Sequence, residues 1–216
     1  MAEIILVTGG ARSGKSGFAE LLARRAELPV TYIATAQVWD EEMAVRIANH
    51  KQSRPAEWRL IEEPLQLGTS LLSLADEGGV VLVDCVTLWL TNHLLARWPH
   101  PDGSDQTIPA NRSARGEQSP QSDWPQIEQA ILAEVREVAT VANQIAPQVI
   151  FVTNEVGSGI VPENPLARYY RDLAGRANQI LAQRAEAVYL VVAGYPVEIK
   201  QRGEVLLASL QPGGNR

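Results

Sequence analysis

The sequence predicts an α/β fold in which a mostly parallel sheet is wrapped by helices. Two observations carry the prediction. Short apolar runs alternate along the chain with segments of helical period, the pattern of parallel strands joined by crossover helices. The first apolar run, Ile4-Ile5-Leu6-Val7, opens directly into a glycine-rich turn followed by a helix-forming stretch. With 216 residues the chain is most simply one domain, of a size that buries about 70 % of the surface exposed when unfolded.

Taken in order, strands are expected at residues 3–8, 30–34, 80–84, 148–153 and 187–193, the short apolar runs that alternate with the helical segments. Helices fit 15–27, 40–52, 65–76, 88–97, 124–146 and 166–185 by their apolar spacing. On the second of these Met43, Ile47 and His50 share a face at i, i+4 and i+7. A late edge hairpin is expected from Val197–Ile199 and Glu204–Ala208 around Arg202-Gly203, which supplies an antiparallel edge strand. Residues 98–123 hold a single isoleucine among Pro, Gly, Ser, Asn, Gln and charges, so they are expected to be disordered or loosely packed. Closing a connection of that length costs only about 1.5 kcal/mol more than closing a five-residue one. The segment therefore reads as a tolerated insertion, with a lid over the site as the other reading.

Composition narrows the function. The net charge of −6 and the lack of Lys or Arg blocks are unlike a nucleic-acid binder. No run approaches the eighteen or so apolar residues that span a bilayer, and no basic, signal-like segment precedes the first strand. Cys85 stands alone within an apolar run, so no intramolecular disulfide is available and a reducing, cytoplasmic setting is expected. A soluble enzyme acting on a small molecule fits these bounds best.

The turn after the first strand reads Gly9-Gly10-Ala11-Arg12-Ser13-Gly14-Lys15-Ser16, a match to G-x-x-x-x-G-K-S in the strand-to-helix context that motif needs. Gly9 and Gly14 permit backbone angles that turn successive N–H groups onto phosphate oxygens, and the helix that follows adds the positive end of its dipole. Lys15 is the expected contact to the terminal phosphates, and Ser16 the expected magnesium ligand. The class is therefore a P-loop, RecA-like α/β domain. A second metal-orienting group is expected at the end of a buried strand, where Val80-Val81-Leu82-Val83-Asp84 supplies Asp84. The plainer role for Asp84 is an N-cap for the segment beginning Thr87-Leu88.

His50 falls near the C-terminus of its predicted helix, where the dipole favours a protonated ring and a purely stabilising role. Its company argues for more. Lys51 and Arg54 follow at once, and nearby cations both resist protonation of an imidazole and stabilise charge on phosphoryl oxygens. A neutral imidazole nitrogen is a competent nucleophile toward phosphorus.

These motifs together resemble the bifunctional adenosylcobinamide kinase and adenosylcobinamide-phosphate guanylyltransferase family of cobalamin biosynthesis. The resemblance rests on GGARSGKS at 9–16, YIATA at 32–36, the D-x-E-M-x-x-R-I-x-x-H-K pattern at 40–51, RPAEW at 54–58, VDCVTLWLTN at 83–92, TNEVGSGIVP at 153–162 and ARYYRDLAGRANQ at 167–179. It covers nearly the whole chain, although residues 98–123 form a longer insertion than the family typically carries. It implies phosphorylation of the aminopropanol hydroxyl of adenosylcobinamide by a nucleoside triphosphate, GTP or ATP. Transfer of GMP from GTP onto that phosphate then passes through a covalent guanylyl-histidine, and the family's nucleophile falls on His50. Further nucleotide positions implied are Ile33, Ala34 and Thr35 at a strand end, then Lys51, Arg54 and Glu62, with Glu62 suited to a guanine N1–H and amino group. The implied cofactor is Mg2+, and the implied assembly is a homotrimer.

The loop Asn154-Glu155-Val156-Gly157-Ser158-Gly159 follows another apolar strand and is expected at the same sheet edge. It fits the corrinoid side of the cleft, with Arg168 and Arg171, as well as it fits ordinary turn chemistry with Arg168 and Asp172 paired along a helix. Three other functions share a phosphate loop. A switch GTPase needs Asn-Lys-x-Asp, and no Asn-Lys pair occurs in the chain. A recombinase-like motor would need a basic DNA-binding face. A plain small-molecule kinase with no covalent nucleotide step is the runner-up, since the phosphate loop and Asp84 alone support it.

Overall fold

A computed structural model describes residues 3–37, 41, 55–97 and 124–210. The expected helix at 40–52, apart from Glu41, and the expected insertion at 98–123 lie outside the described residues. The elements are β1 (Ile4–Gly9), α1 (Lys15–Arg25), β2 (Val30–Ala34), β3 (Arg59–Glu62), α2 (Leu67–Ser73), β4 (Val80–Asp84), α3 (Val86–Arg97), α4 (Trp124–Gln144), β5 (Gln148–Val152), α5 (Pro165–Arg184), β6 (Ala187–Val192), β7 (Tyr195–Glu198) and α6 (Lys200–Leu210). The seven strands form one sheet in the order β3-β2-β4-β5-β1-β6-β7. Every pairing is parallel except β6 with β7.

The continuous apolar runs are explained by burial on both faces. Along β1, Ile4 and Leu6 join one core cluster while Ile5 and Val7 join the other. β4 divides the same way, Val81 and Val83 to one side and Val80 and Leu82 to the other, as does β5 with Val149 and Phe151 against Ile150 and Val152. A period-two strand between two helical layers has no polar face to spare. The larger cluster is closed by α2, α3, α4 and α5, and the smaller by Phe18, Ala19, Leu22 and Ala23 of α1. Among the described residues no helix is long and apolar enough to cross a membrane.

Two departures from expectation have clear causes. β3 was not anticipated because Arg-Leu-Ile-Glu carries only two apolar residues and is largely exposed as the sheet's edge. The antiparallel edge is present, but its turn is Ala193-Gly194, both at positive φ (52° and 87°), and not Arg202-Gly203. Residues 200–210 are helical because Glu198 caps them, its carboxylate accepting the N–H groups of Lys200 (2.8 Å) and Gln201 (3.1 Å). Those bonds satisfy amides that a helix start otherwise leaves open.

One face of α3 clamps the loop that leaves β3. Trp89 Nε1 and His93 Nε2 both donate to the Leu65 carbonyl, at 2.8 and 2.9 Å, and Asn92 Nδ2 donates to the carbonyls of Pro64 (3.0 Å) and Thr35 (2.8 Å). A carbonyl only accepts and a guanidinium only donates, so His93 carries its proton on Nε2 and takes the Arg97 bond on bare Nδ1 (2.6 Å). Burial, reinforced by the Arg97 charge, lowers the His93 pKa from 6.5, against the raising effects of Leu65 and Glu134. The unfolded chain then binds a proton that the folded chain refuses, so stability falls as pH drops below 6.5. Urea midpoints measured between about pH 5 and pH 7 should rise with pH, and His93→Gln should flatten that rise.

Candidate active site

The register of the parallel strands sets the site. Ala34 of β2 pairs with Glu62 of β3 on one side and with Asp84 of β4 on the other. Asp84 is level with Val152 of β5, which is level with Val7 of β1. Glu62, Ala34 and Asp84 therefore stand in one row at the carboxyl ends of the strands, where open α/β sheets place ligands. The phosphate loop rises from the end of β1, one strand removed from Asp84.

Residues 9–16 form the turn from β1 into α1. A Cβ on Gly9 would lie 2.5 Å from the Val191 carbonyl oxygen and 2.6 Å from Ser13 Oγ, so only glycine fits there. Gly14 has φ 95°, and a Cβ on it would press on Gly194 Cα at 3.2 Å. Gly194, in the β6–β7 turn, also donates its N–H to the Ser13 carbonyl (2.8 Å), so the sheet's last hairpin holds the loop from behind. Gly10, Ala11 and Arg12 are exposed, with Arg12 at φ 56°. Helix α1 begins without a side-chain cap or an acidic residue in its first turn, which leaves its opening amides for an anion. Ser13 Oγ and Thr8 Oγ1 are buried without a hydrogen-bond partner. A cradle that forbids a Cβ and holds an orphaned hydroxyl fits a phosphate group.

Lys15 Nζ donates to the Gly10 carbonyl (3.2 Å), folding over the turn it belongs to. Its charge also reaches the end of β4, where it acts to lower the pKa of Cys85. Burial dominates at that thiol, with the Asp84 charge second, and raises its pKa to about 11. Cys85 is therefore a neutral core group at ordinary pH, as its apolar setting suggested.

Asp84 Oδ2 accepts a bond from Tyr32 Oη (3.1 Å), and the Tyr32 ring stacks on Trp58 at 6.5 Å. The carboxylate is thus tied to β2. No group of three or more His, Cys, Asp or Glu is placed to hold a metal among the described residues. One hydroxyl and one carboxylate, Ser16 and Asp84, are nonetheless the hard oxygen donors that suit Mg2+, which keeps several waters and takes the rest from substrate phosphates.

The other expected contacts divide. Ile33 is wholly buried in the core. Thr35 is also buried: its hydroxyl donates to the Cys85 carbonyl (2.7 Å) and accepts from the Cys85 N–H (3.0 Å), so its side chain ties β2 to β4. Ala34 and Glu62 reach the row described above. His50, Lys51 and Arg54 lie outside the described residues. Arg168 does not pair with Asp172; its guanidinium donates to the carbonyls of Pro162 (3.0 Å) and Glu163 (2.6 Å), tying the loop after β5 to α5. Sequence reading gave no part to Tyr32 or Asn92, whose partners are distant in the chain.

The profile of the cobinamide kinase / cobinamide phosphate guanyltransferase family matches residues 5–199. The bifunctional adenosylcobalamin biosynthesis protein CobU of Escherichia coli is 43% identical over 198 residues, 91% of this chain and 99% of that protein. Its namesake in Salmonella typhimurium is 44% identical over the same shares. The bifunctional adenosylcobalamin biosynthesis protein CobP of Pseudomonas aeruginosa is 43% identical over 90% of this chain and 96% of its own. Identity of this extent, over a chain whose glycine cradle and strand-end carboxylates are in place, makes the protein a member of the cobinamide kinase / cobinamide phosphate guanyltransferase family.

Proposed function

We propose that this protein phosphorylates adenosylcobinamide with a nucleoside triphosphate, GTP or ATP, and then transfers GMP from GTP to adenosylcobinamide phosphate, giving adenosylcobinamide-GDP. The carrying observation is the Gly9–Ser16 cradle aligned with Asp84 in a chain matched by its family from residue 5 to 199. In the first reaction the corrinoid's hydroxyl oxygen bonds to the γ-phosphorus, the bond to the β-phosphate oxygen breaks, and nucleoside diphosphate leaves. The backbone amides of residues 14–16 orient the phosphates, and Lys15 swings from the Gly10 carbonyl to the charge that develops on the transferred group. Ser16 and Asp84 would hold Mg2+, which supplies charge neutralisation across the phosphate oxygens.

In the second reaction the His50 imidazole attacks the α-phosphorus of GTP and pyrophosphate leaves. The phosphate of the corrinoid then attacks the same phosphorus and frees the ring. Lys51 and Arg54 fall within four residues after His50 and are suited to stabilise the phosphoryl oxygens, while the Glu62 carboxylate suits the guanine edge. The setting we assign is cytoplasmic and the assembly a trimer. Exposed apolar side chains on β7 and α6, Tyr195, Val205, Leu206 and Leu207, support a subunit contact.

GTP labelled on its α-phosphate should leave acid-labile, alkali-stable label on the denatured protein, and His50→Asn should abolish it while sparing phosphorylation. Absence of label on the unaltered protein would remove the transferase step and leave a kinase. Lys15→Ala should lower the phosphorylation rate about 100-fold or more in steady-state assays without altering the melting temperature. Light scattering should return the mass of three chains of 23.6 kDa.

A further inference from the structure

The end of β5 carries a carboxylate to which neither reaction has yet given a part. β5 lies between the phosphate-loop strand and the Asp84 strand, with Val152 level with both Val7 and Asp84. Thr153, Asn154 and Glu155 therefore emerge between the cradle and the strand-end acid. They are pinned on both sides. Thr153 donates its N–H to the Val7 carbonyl (2.9 Å) and Glu155 donates its N–H to the Gly9 carbonyl (3.0 Å). Asn154 Nδ2 donates to Thr87 Oγ1 (2.9 Å), and Asn178 accepts from the Thr153 hydroxyl (2.7 Å) while donating to the Asn154 carbonyl (3.1 Å).

The Glu155 carboxylate is itself oriented. Its Oε1 accepts the Gly157 N–H at 2.6 Å, and Oε2 has no hydrogen-bond partner among the described residues. A Cβ on Gly157 would stand 2.8 Å from that Oε1, so the glycine leaves the space the carboxylate occupies. Asp84 already takes the Tyr32 hydroxyl and is the assigned metal ligand, and Glu62 lies two strands beyond it. Transfer of a phosphoryl group to an alcohol requires a group that takes the alcohol's proton, and such a base must sit beside the phosphate that moves. Glu155 is the carboxylate whose backbone is bonded to the first residue of the cradle.

Resting on the kinase reading above, we propose that Glu155 is the general base of the phosphorylation step. Its free oxygen accepts the proton of the corrinoid hydroxyl as that oxygen bonds to the γ-phosphorus and nucleoside diphosphate departs; the proton then passes from the carboxylic acid to water. The guanylyl step needs no such base, because its nucleophiles are an imidazole and a phosphate.

The two activities therefore separate the roles. Glu155→Gln should lower kcat for phosphorylation by about 100-fold or more and remove the acidic limb of its pH profile. The nucleotide KM should stay within about threefold, and label from α-labelled GTP should still accumulate. Gly157→Ala, which displaces the carboxylate without removing it, should lower phosphorylation kcat by several-fold with the same pattern. Glu155→Gln with undiminished kcat and an unchanged pH profile overturns the proposal. So does loss of phosphorylation, nucleotide affinity and label together, the mark of a structural carboxylate. If the unaltered protein fails to phosphorylate cobinamide, the proposed function itself falls and Glu155 with it; an active protein with an active Glu155→Gln variant overturns only the base.

Discussion

The register of the parallel sheet is the constraint on which the site depends. Backbone hydrogen bonds fix Glu62, Ala34, Asp84, Val152 and Val7 in one transverse row, and neighbouring strands stand about 4.8 Å apart. Everything beyond that row is a short extension from a rigid edge. The glycine turn leaves β1 two residues later, and the segment at 153–155 leaves β5 between the turn and Asp84. A one-residue slip in any pairing would exchange the buried faces of that strand, so the core enforces the row. The geometry of the site is thus maintained by the buried aliphatic residues of the strands.

Side-chain bonds then lock strand ends whose ladders have finished. Thr35 clips β2 to the Cys85 peptide, Asn92 grips Thr35 and Pro64 at once, and Tyr32 steadies Asp84. These contacts are buried or partly buried and join residues 28 to 57 positions apart. Such polar groups are costly to bury unless satisfied, and here each satisfies another.

What the sequence revealed and what it concealed follow the same division. Strands β1, β4 and β5 were legible because two-sided burial writes a continuous apolar run, β2 and β6 because short apolar stretches recur between helical segments, and the cradle because glycine, lysine and serine fall at fixed offsets. Asp84 was found by its position after four aliphatic residues. β3 escaped because an edge strand needs little apolar content, and the final helix was mistaken for a hairpin because its cap, Glu198, acts through geometry and not through spacing. One of the two readings of Arg168 paired it with Asp172 along the helix; its guanidinium instead donates to two carbonyls of the preceding loop, which helical spacing does not encode. The parts of Thr35, Tyr32 and Asn92 are set by long-range neighbours, which no local pattern encodes.

The β6–β7 turn reaches back to the cradle through Gly194, whose N–H holds the Ser13 carbonyl and whose Cα faces Gly14. The outermost corner of the sheet thus serves as a backstop for the innermost loop. The loop that opens the first helix is thus braced by the turn between the last two strands, so two segments far apart in the sequence meet as one piece of backbone.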